Sequence, residues 1–284
     1  MKRTTDNHFK YVGGHRLLPF CILCLSGFCL MASAASERKP EKETDDKVYL
    51  LHADVLFKEQ KHPDAEILRG NVAFRHEDVL MYCDSACFYK ARNSFDAFGH
   101  VRMVQGDTLS LVGDVLYYNG LDQLARVRHN VVLKHRESTL YTDSLDYDRL
   151  YDLGYFFEGG RLVDAENVLT SDWGEYSPST REAVFNYNVK LVNPKFVLIS
   201  DTLHYNTRTS MAHIVGPSNI DSDDNHIYSE SGYYDTRTER AYLLNRSELH
   251  NKGKKMVGDS LYYDSEAGIG KAFWNVVYTD EVNK

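Results

Sequence analysis

The chain has 284 residues, of which 43% are hydrophobic and 26% are charged, and its formal net charge is −8. This composition is typical of a folded globular protein and excludes collagen-like, low-complexity and wholly disordered chains. Nucleic acid is excluded as a partner, because so acidic a chain lacks the clustered lysines and arginines that neutralise phosphates. Twenty tyrosines, with many Val, Leu and Ile, favour a β-rich fold.

The first 35 residues have the pattern of an export signal. Four cations precede an apolar stretch at 17–31, and the sequence ASAA follows at 32–35. These features predict a secretory signal peptide that is cleaved after Ala34, with an uncleaved membrane anchor as the alternative. Residues 36–47 are polar and are interpreted as a linker, and residues 48–284 as the folded domain.

Two of the five cysteines, Cys83 and Cys87, remain after the predicted signal. On one strand, residues four positions apart have Cα atoms about 13 Å apart. That separation is too large for a disulfide, so no disulfide framework is predicted.

An acidic residue recurs every 29 or 30 positions, usually with an apolar residue two positions later. The recurring acids are Asp54, Asp84, Asp114, Asp143, Asp172, Asp201, Glu230 and Asp259. The segments around them alternate with the two-residue period of a β-strand. In the copy at 140–148, this alternation predicts that Tyr141, Leu145 and Tyr147 share one face of the strand with Asp143.

Polar turns, such as NGLD at 119–122 and DSEAG at 264–268, separate the alternating segments. We therefore predict an all-β fold of about eight 29-residue units, each consisting of strand, turn, strand and turn. Short turns at both ends favour an antiparallel zigzag of about sixteen arms, with a parallel β-solenoid as the alternative. Arms of about 14 residues exceed the usual strand length, so each is expected to bend across two facing sheets.

We found none of the HExxH, GxSxG, Walker-type or dinucleotide-binding motifs in the sequence. The repeated acids could form a row of metal ligands or sugar-cleaving acids, or they could bond the backbone at the same corner of every unit. An active site usually occurs once in a protein, whereas a structural role recurs in every unit of a repeat, so the recurrence of the acids favours a structural role. The sequence therefore predicts no catalytic residue, no metal site and no cofactor.

Four segments resemble the OstA-like family of lipopolysaccharide-transport proteins: LHADVLF at 51–57, RGNVAF at 69–74, MYCDSACFY at 81–89 and RHNVVL at 128–133. The resemblance extends over residues 48–282 and implies a taco-shaped antiparallel β-jelly roll. It further implies a periplasmic, non-enzymatic module whose apolar groove shields the acyl chains of lipopolysaccharide. The implied partners are lipopolysaccharide or lipid A, other OstA-like domains stacked by their edge strands, and inner- and outer-membrane transport components.

The groove lining is predicted from the strongest apolar columns of the repeat. These residues are Leu116, Tyr118, Val127, Leu133, Leu145, Tyr147, Phe156, Leu162, Phe185, Leu191, Leu203, Tyr205, Ile214, Ile220, Leu243, Leu249, Leu261 and Tyr263. Two other functions stay open at this stage. One is a structural or adhesive β-repeat protein with a solid core, and the other is a polysaccharide-active β-solenoid enzyme that uses the acid row.

Overall fold

The computed structural model describes residues 46–223 and 225–280, and most of these residues lie in β-strands. The predicted signal peptide and nearly all of the predicted linker lie outside the described residues. Within the described ranges, the single helix is a 3₁₀ turn at Lys90–Arg92. No helix in this part of the chain is long and apolar enough to cross a membrane.

The described residues form twenty strands. They are β1 (Tyr49–His52), β2 (Val55–Glu59), β3 (His62–His76), β4 (Val79–Tyr89), β5 (Ser94–Gln105), β6 (Leu109–Asn119), β7 (Leu124–His135), β8 (Ser138–Asp148), β9 (Leu153–Phe156), β10 (Gly160–Asp164), β11 (Asn167–Ser171), β12 (Trp173–Ser177), β13 (Glu182–Asn193), β14 (Phe196–Asn206), β15 (Met211–Ser222), β16 (Asn225–Asp235), β17 (Arg240–Asn251), β18 (Lys254–Asp264), β19 (Ile269–Phe273) and β20 (Val277–Asp280).

The strands form an antiparallel zigzag. Strand β7, for example, pairs with β8 from Leu124↔Asp148 to His135↔Ser138, and the other pairings of the sheet are likewise antiparallel. Four arms are split into two strands each: β1 with β2, β9 with β10, β11 with β12, and β19 with β20. The described residues thus make sixteen arms. The predicted antiparallel repeat is confirmed, and the parallel β-solenoid alternative is wrong.

A bend interrupts the arms near their middle. Between β7 and β8 the pairing shifts between Arg128 and Val131, where His129 and Asn130 have positive φ angles of 63° and 52°. Extra residues of this kind kink a strand and increase its local twist. Equivalent shifts occur in the neighbouring pairings, so the bends align and fold the sheet into two facing layers.

We name the two layers by the turns at which their arms end. The short-turn layer ends at turns of two or three residues, such as 136–137 and 194–195. The long-turn layer ends at turns of about four residues, such as 149–152 and 207–210. Five of the long turns begin with an Asn or Asp that accepts a hydrogen bond from the backbone ahead of it: Asp148 Oδ1, for example, accepts from Leu150 N at 2.9 Å. Side chains of this type favour turns for that reason.

The hydrophobic core lies between the two layers. Phe74 of the short-turn layer stacks on Phe95 of the long-turn layer, with 4.1 Å between ring centroids. Farther along, the rings of Phe196 and Tyr234 make a similar contact across the layers at 4.7 Å. One cluster of buried side chains extends from Val48 to Tyr263, so a single apolar interior runs through the described domain.

The bend corrects one face assignment. Strict alternation predicts Tyr141 on the same face as Leu145 and Tyr147, but Tyr141 is 42% exposed on the outer surface, whereas Leu145 and Tyr147 are fully buried. Leu140 and Leu145 are five positions apart and both face the interior. At the bulge, two residues of β7 stand opposite one residue of β8, and along β8 the order of inward and outward side chains is reversed there.

Candidate functional site

The eighteen residues predicted to line an apolar groove all lie between the two layers. The most exposed of them, Leu249, is only 8% exposed, and most are fully buried. In this structure they pack against one another as a hydrophobic core. The assignment of their inward face agrees with the structure, while their contact with lipid stays a prediction.

Opposite the bend, the turns of the two layers face each other, and we call this side of the interior the mouth. Six buried tyrosines of the long-turn layer, spaced 29 residues apart, stand next to it: Tyr118, Tyr147, Tyr176, Tyr205, Tyr234 and Tyr263. Each is the second-to-last residue of its strand and points inward, just before a long turn. The repeat therefore places a row of phenol hydroxyls along the mouth.

Hydrogen bonds across the mouth join three of the tyrosines to the short-turn layer, whereas Tyr147 donates to Asp152 in the long turn next to it. Tyr118 bonds His76 Nδ1 at 2.6 Å, and Tyr176 bonds His135 Nδ1 at 2.9 Å. Tyr205 donates to Asp164 Oδ2 at 2.8 Å. These bonds close the mouth over the first two thirds of the domain.

Sequence reasoning missed these partners of the tyrosines. The signal was present, because the polar residues His76, His135 and Asp164 stand 41 or 42 positions before their tyrosines, each at the end of an arm whose other inward positions are apolar.

The protonation states of the bonded groups suit this closure. Burial raises the pKa of the Tyr118 and Tyr205 phenols, so both remain hydrogen-bond donors. Burial also lowers the pKa of His76, and the charge of Arg149 lowers it further. The pKa of His135 is lowered by burial first and then by two neighbouring arginines. A neutral imidazole keeps one nitrogen free to accept a hydrogen bond.

The mouth is open at its C-terminal end. Tyr234 and Tyr263 make no hydrogen bond through their hydroxyls to another described residue. Near Tyr234 the turns of the two layers are still joined by the ion pair of Lys195 and Glu239, at 2.7 Å, so the opening lies beside Tyr263. Beside Tyr263 a cavity of about 520 Å³ reaches between the layers, and Leu249, Met256 and Tyr278 contribute to its wall. The apolar interior is therefore accessible from this end.

The recurring acids have a structural role at the bends. Asp54, Asp114, Asp172 and Asp259 each accept a hydrogen bond from an asparagine amide 16 or 17 positions later, at 2.7–2.9 Å. Asp84 bonds His100 in the equivalent place at 2.7 Å. These bonds hold the bend of one arm against the next. They support the prediction that the acid row repeats because the fold repeats.

Two further features concern metal and thiol chemistry. Within residues 46–223 and 225–280, no group of three or more His, Cys, Asp or Glu side chains could hold a metal ion. Cys83 and Cys87 lie on β4 as free thiols, as their spacing predicted. Burial raises the pKa of the Cys83 thiol to about 12, so this thiol stays protonated and unreactive.

The comparison with protein-family models identifies one family. The family described as OstA-like protein matches residues 45–201, which is more than half of the chain. Among solved structures, the chain is similar to LptH from Pseudomonas aeruginosa, described as the LptA homologous periplasmic component of the lipopolysaccharide transport device. The identity is 15% and the TM-score 0.38, over 40% of this chain and 94% of LptH. No curated protein matches the sequence.

Proposed function

Because the chain belongs to the OstA-like protein family, we propose that it is a periplasmic lipopolysaccharide-binding module that shields acyl chains between its layers during export to the outer membrane. The observation that carries this proposal is the continuous apolar interior, which opens at its C-terminal end. Each methylene group removed from water contributes about 0.8 kcal/mol. Burial in such an interior therefore offsets the unfavourable free energy of exposing acyl chains to water in an aqueous compartment.

Acyl chains need space that the closed core does not offer, so the layers must separate to receive them. The two layers are joined at the bend by the backbone of the arms. At the mouth, side-chain bonds such as Tyr118–His76 and Tyr205–Asp164 hold them together. The mouth is therefore the side at which the layers part, and the lipid headgroup then stays in solvent outside it.

The end arms supply surfaces for partners. Among the described residues, β1 and β2 pair only with β3, and β19 and β20 pair only with β18. Apolar side chains are exposed there, including Leu51 and Val55 at one end and Val277 and Tyr278 at the other. Unpaired strand edges are templates for strand addition. We propose that other OstA-like domains, including those of inner- and outer-membrane transport components, stack on these edges.

Photo-crosslinking on neighbouring residues tests the proposed function. Tyr263 lies inside at the C-terminal opening, whereas Tyr262 lies on the outer face of the same strand, with its ring tilted against that of Tyr242 at 5.0 Å. A photo-reactive amino acid at position 263 is expected to crosslink lipopolysaccharide in a Gram-negative host, while the same amino acid at 262 should not. Equal crosslinking at both positions, or none at 263, contradicts the proposal.

A second candidate function is a non-enzymatic structural or adhesive β-repeat protein of the cell envelope. The close packing of the interior favours it, because residues such as Leu145 and Leu203 are fully buried without any cargo. This candidate predicts a protein that purifies without lipid. It also predicts that added lipopolysaccharide leaves the mass of the native protein unchanged.

A further inference from the structure

A second cavity, of about 450 Å³, lies at the mouth near the middle of the domain. One side of its wall comes from the short-turn layer and includes Leu109 and His135. The other side comes from the long turns at 149–152, 178–181 and 207–210. The cavity therefore spans the gap between the layers, with solvent on one side and the apolar interior on the other.

Four arginines line this cavity, and a single carboxylate, Asp152, accompanies them among its lining residues. The arginines are Arg136, Arg149, Arg181 and Arg208. Arg136, Arg181 and Arg208 form no ion pair with another described residue. Such a concentration of positive charge is unexpected in a chain of net charge −8. Arg136 and Arg181 both lower the pKa of His135, in addition to the larger effect of burial, and the opposing effect of Asp152 is smaller.

Arg149 is bonded incompletely, although its side chain is only 2% exposed. One terminal nitrogen donates to the Tyr118 hydroxyl at 2.7 Å, and the other lies 3.4 Å from Glu77 and 3.2 Å from Asp78. Its Nε is buried without any hydrogen-bond partner. A buried N–H without an acceptor is unfavourable, because it has lost its hydration without a replacement. Arg149 therefore retains one unpaired donor in a side chain that lines the cavity.

We propose that this cavity binds a phosphate group of an anionic amphiphile whose acyl chains lie between the layers. A guanidinium matches the geometry of a phosphate and can bind it with two parallel hydrogen bonds. An amphiphile that hides its chains in the interior must leave its headgroup at the mouth, where the arginines are. The acyl-chain part rests on the proposed function, whereas the phosphate part rests on the arginines alone.

The test uses the full chain with two exposed arginines replaced, Arg136→Gln together with Arg208→Gln. The matched control is Arg69→Gln together with Arg161→Gln, which removes the same charge from the outer face, where each arginine lies over an aromatic ring. Binding of bisphosphorylated lipid A and of the same lipid without phosphates is measured by native mass spectrometry. A charged hydrogen bond contributes about 1.5–3 kcal/mol, so each arginine should change affinity at least about 10-fold.

We expect the mouth variant to bind the phosphorylated lipid about 100-fold more weakly, with two arginines lost, and the phosphate-free lipid as tightly as the unaltered protein does. The control variant should bind both lipids normally. An equal loss for both lipids, or no loss for the phosphorylated one, overturns the phosphate site.

Inorganic pyrophosphate serves as a probe without acyl chains. If the protein binds neither lipid but binds pyrophosphate through these arginines, the proposed function fails and the anion site stands, with free phosphate as its source. If it binds both lipids equally and no pyrophosphate, the anion site fails and the proposed function stands.

Discussion

Tyr205 and Asp164 belong to opposite layers of the folded sheet, and the tyrosine hydroxyl donates to the carboxylate at 2.8 Å. Asp164 is 5% exposed and also accepts from the hydroxyl of Ser138 at 2.8 Å. A buried carboxylate is tolerated only when it is hydrogen-bonded. Closure of the mouth therefore depends on specific polar pairs in addition to the hydrophobic core.

Removing one of these hydroxyls should weaken the fold. Tyr205→Phe takes a donor from the buried carboxylate of Asp164, so we expect the free energy of unfolding to fall by about 1–3 kcal/mol. Tyr234→Phe is the matched control, because Tyr234 occupies the same column and makes no such bond, and its effect should stay within about 0.5 kcal/mol. Urea unfolding measures both. Equal losses in the two variants would show that the Tyr205–Asp164 bond does not stabilise the closed mouth.

Stability should also decrease in mildly acidic solution. The pKa of His76 and of His135 is lowered in the folded protein from an ordinary value of 6.5. As the pH falls through 6.5, the two histidines bind protons in the unfolded chain but not yet in the folded protein, so the free energy of unfolding decreases. The contribution of these histidines is therefore fully present above pH 6.5 and is lost below it.

The experiment compares urea unfolding at pH 7.5 and 5.5 for the unaltered protein and for His76→Gln with His135→Gln. The doubly substituted protein should show the smaller difference between the two pH values. The same substitution at the exposed His62 is the control. If the double variant keeps the full difference between the two pH values, the pH dependence of stability comes from groups other than His76 and His135.

The bends can be tested in the same way. Asp114→Ala removes the acceptor of the Asn130 amide, which it bonds at 2.7 Å, and should reduce the free energy of unfolding by about 1 kcal/mol. Asp201→Ala is the control, because Asp201 holds the same place in the repeat without a side-chain hydrogen bond to a described residue. We expect it to be nearly neutral. Hydrogen exchange at the bend would locate the effect, and equal changes in both variants would argue against a role for the bond.

The period of the sequence was sufficient to predict most of the fold. Leu145, Leu203 and Leu261 recur in step with polar turns, so the number of arms and the inward columns followed from alternation and spacing. Tyr141 was assigned to the wrong face because the extra residue of the bulge lies on the neighbouring strand β7, so nothing in the sequence of β8 marks the reversal. Alternation defines a face only as far as the next bend.

The pairs across the mouth could not be derived from one strand. Which residue of the short-turn layer meets Tyr118 depends on how the two layers are offset, and this offset is set by the stacked bends and turns. The arginine cavity also depends on the offset of the layers. Arg136 lies in a turn of the short-turn layer, whereas Arg181 and Arg208 lie in turns of the long-turn layer. Far apart in the sequence, these residues show no common motif.

Locking the mouth tests whether the layers separate there. Lys195 and Glu239 lie in turns of opposite layers, and their side chains form an ion pair at 2.7 Å. Replacing both with cysteine allows a bis-maleimide to join the layers, with Cys87→Ser in the background, while the raised pKa of the buried Cys83, about 12, protects that thiol. We expect the crosslinked protein to take up less lipopolysaccharide than the same protein before crosslinking.

The matched control joins Thr170→Cys to Lys190→Cys, a pair of neighbours within the short-turn layer. This crosslink spans no mouth and should leave uptake unchanged. If uptake falls equally with both crosslinks, the reagent itself is responsible. Undiminished uptake by the locked protein would mean that acyl chains enter through the C-terminal opening beside Tyr263 without parting the layers at Lys195 and Glu239.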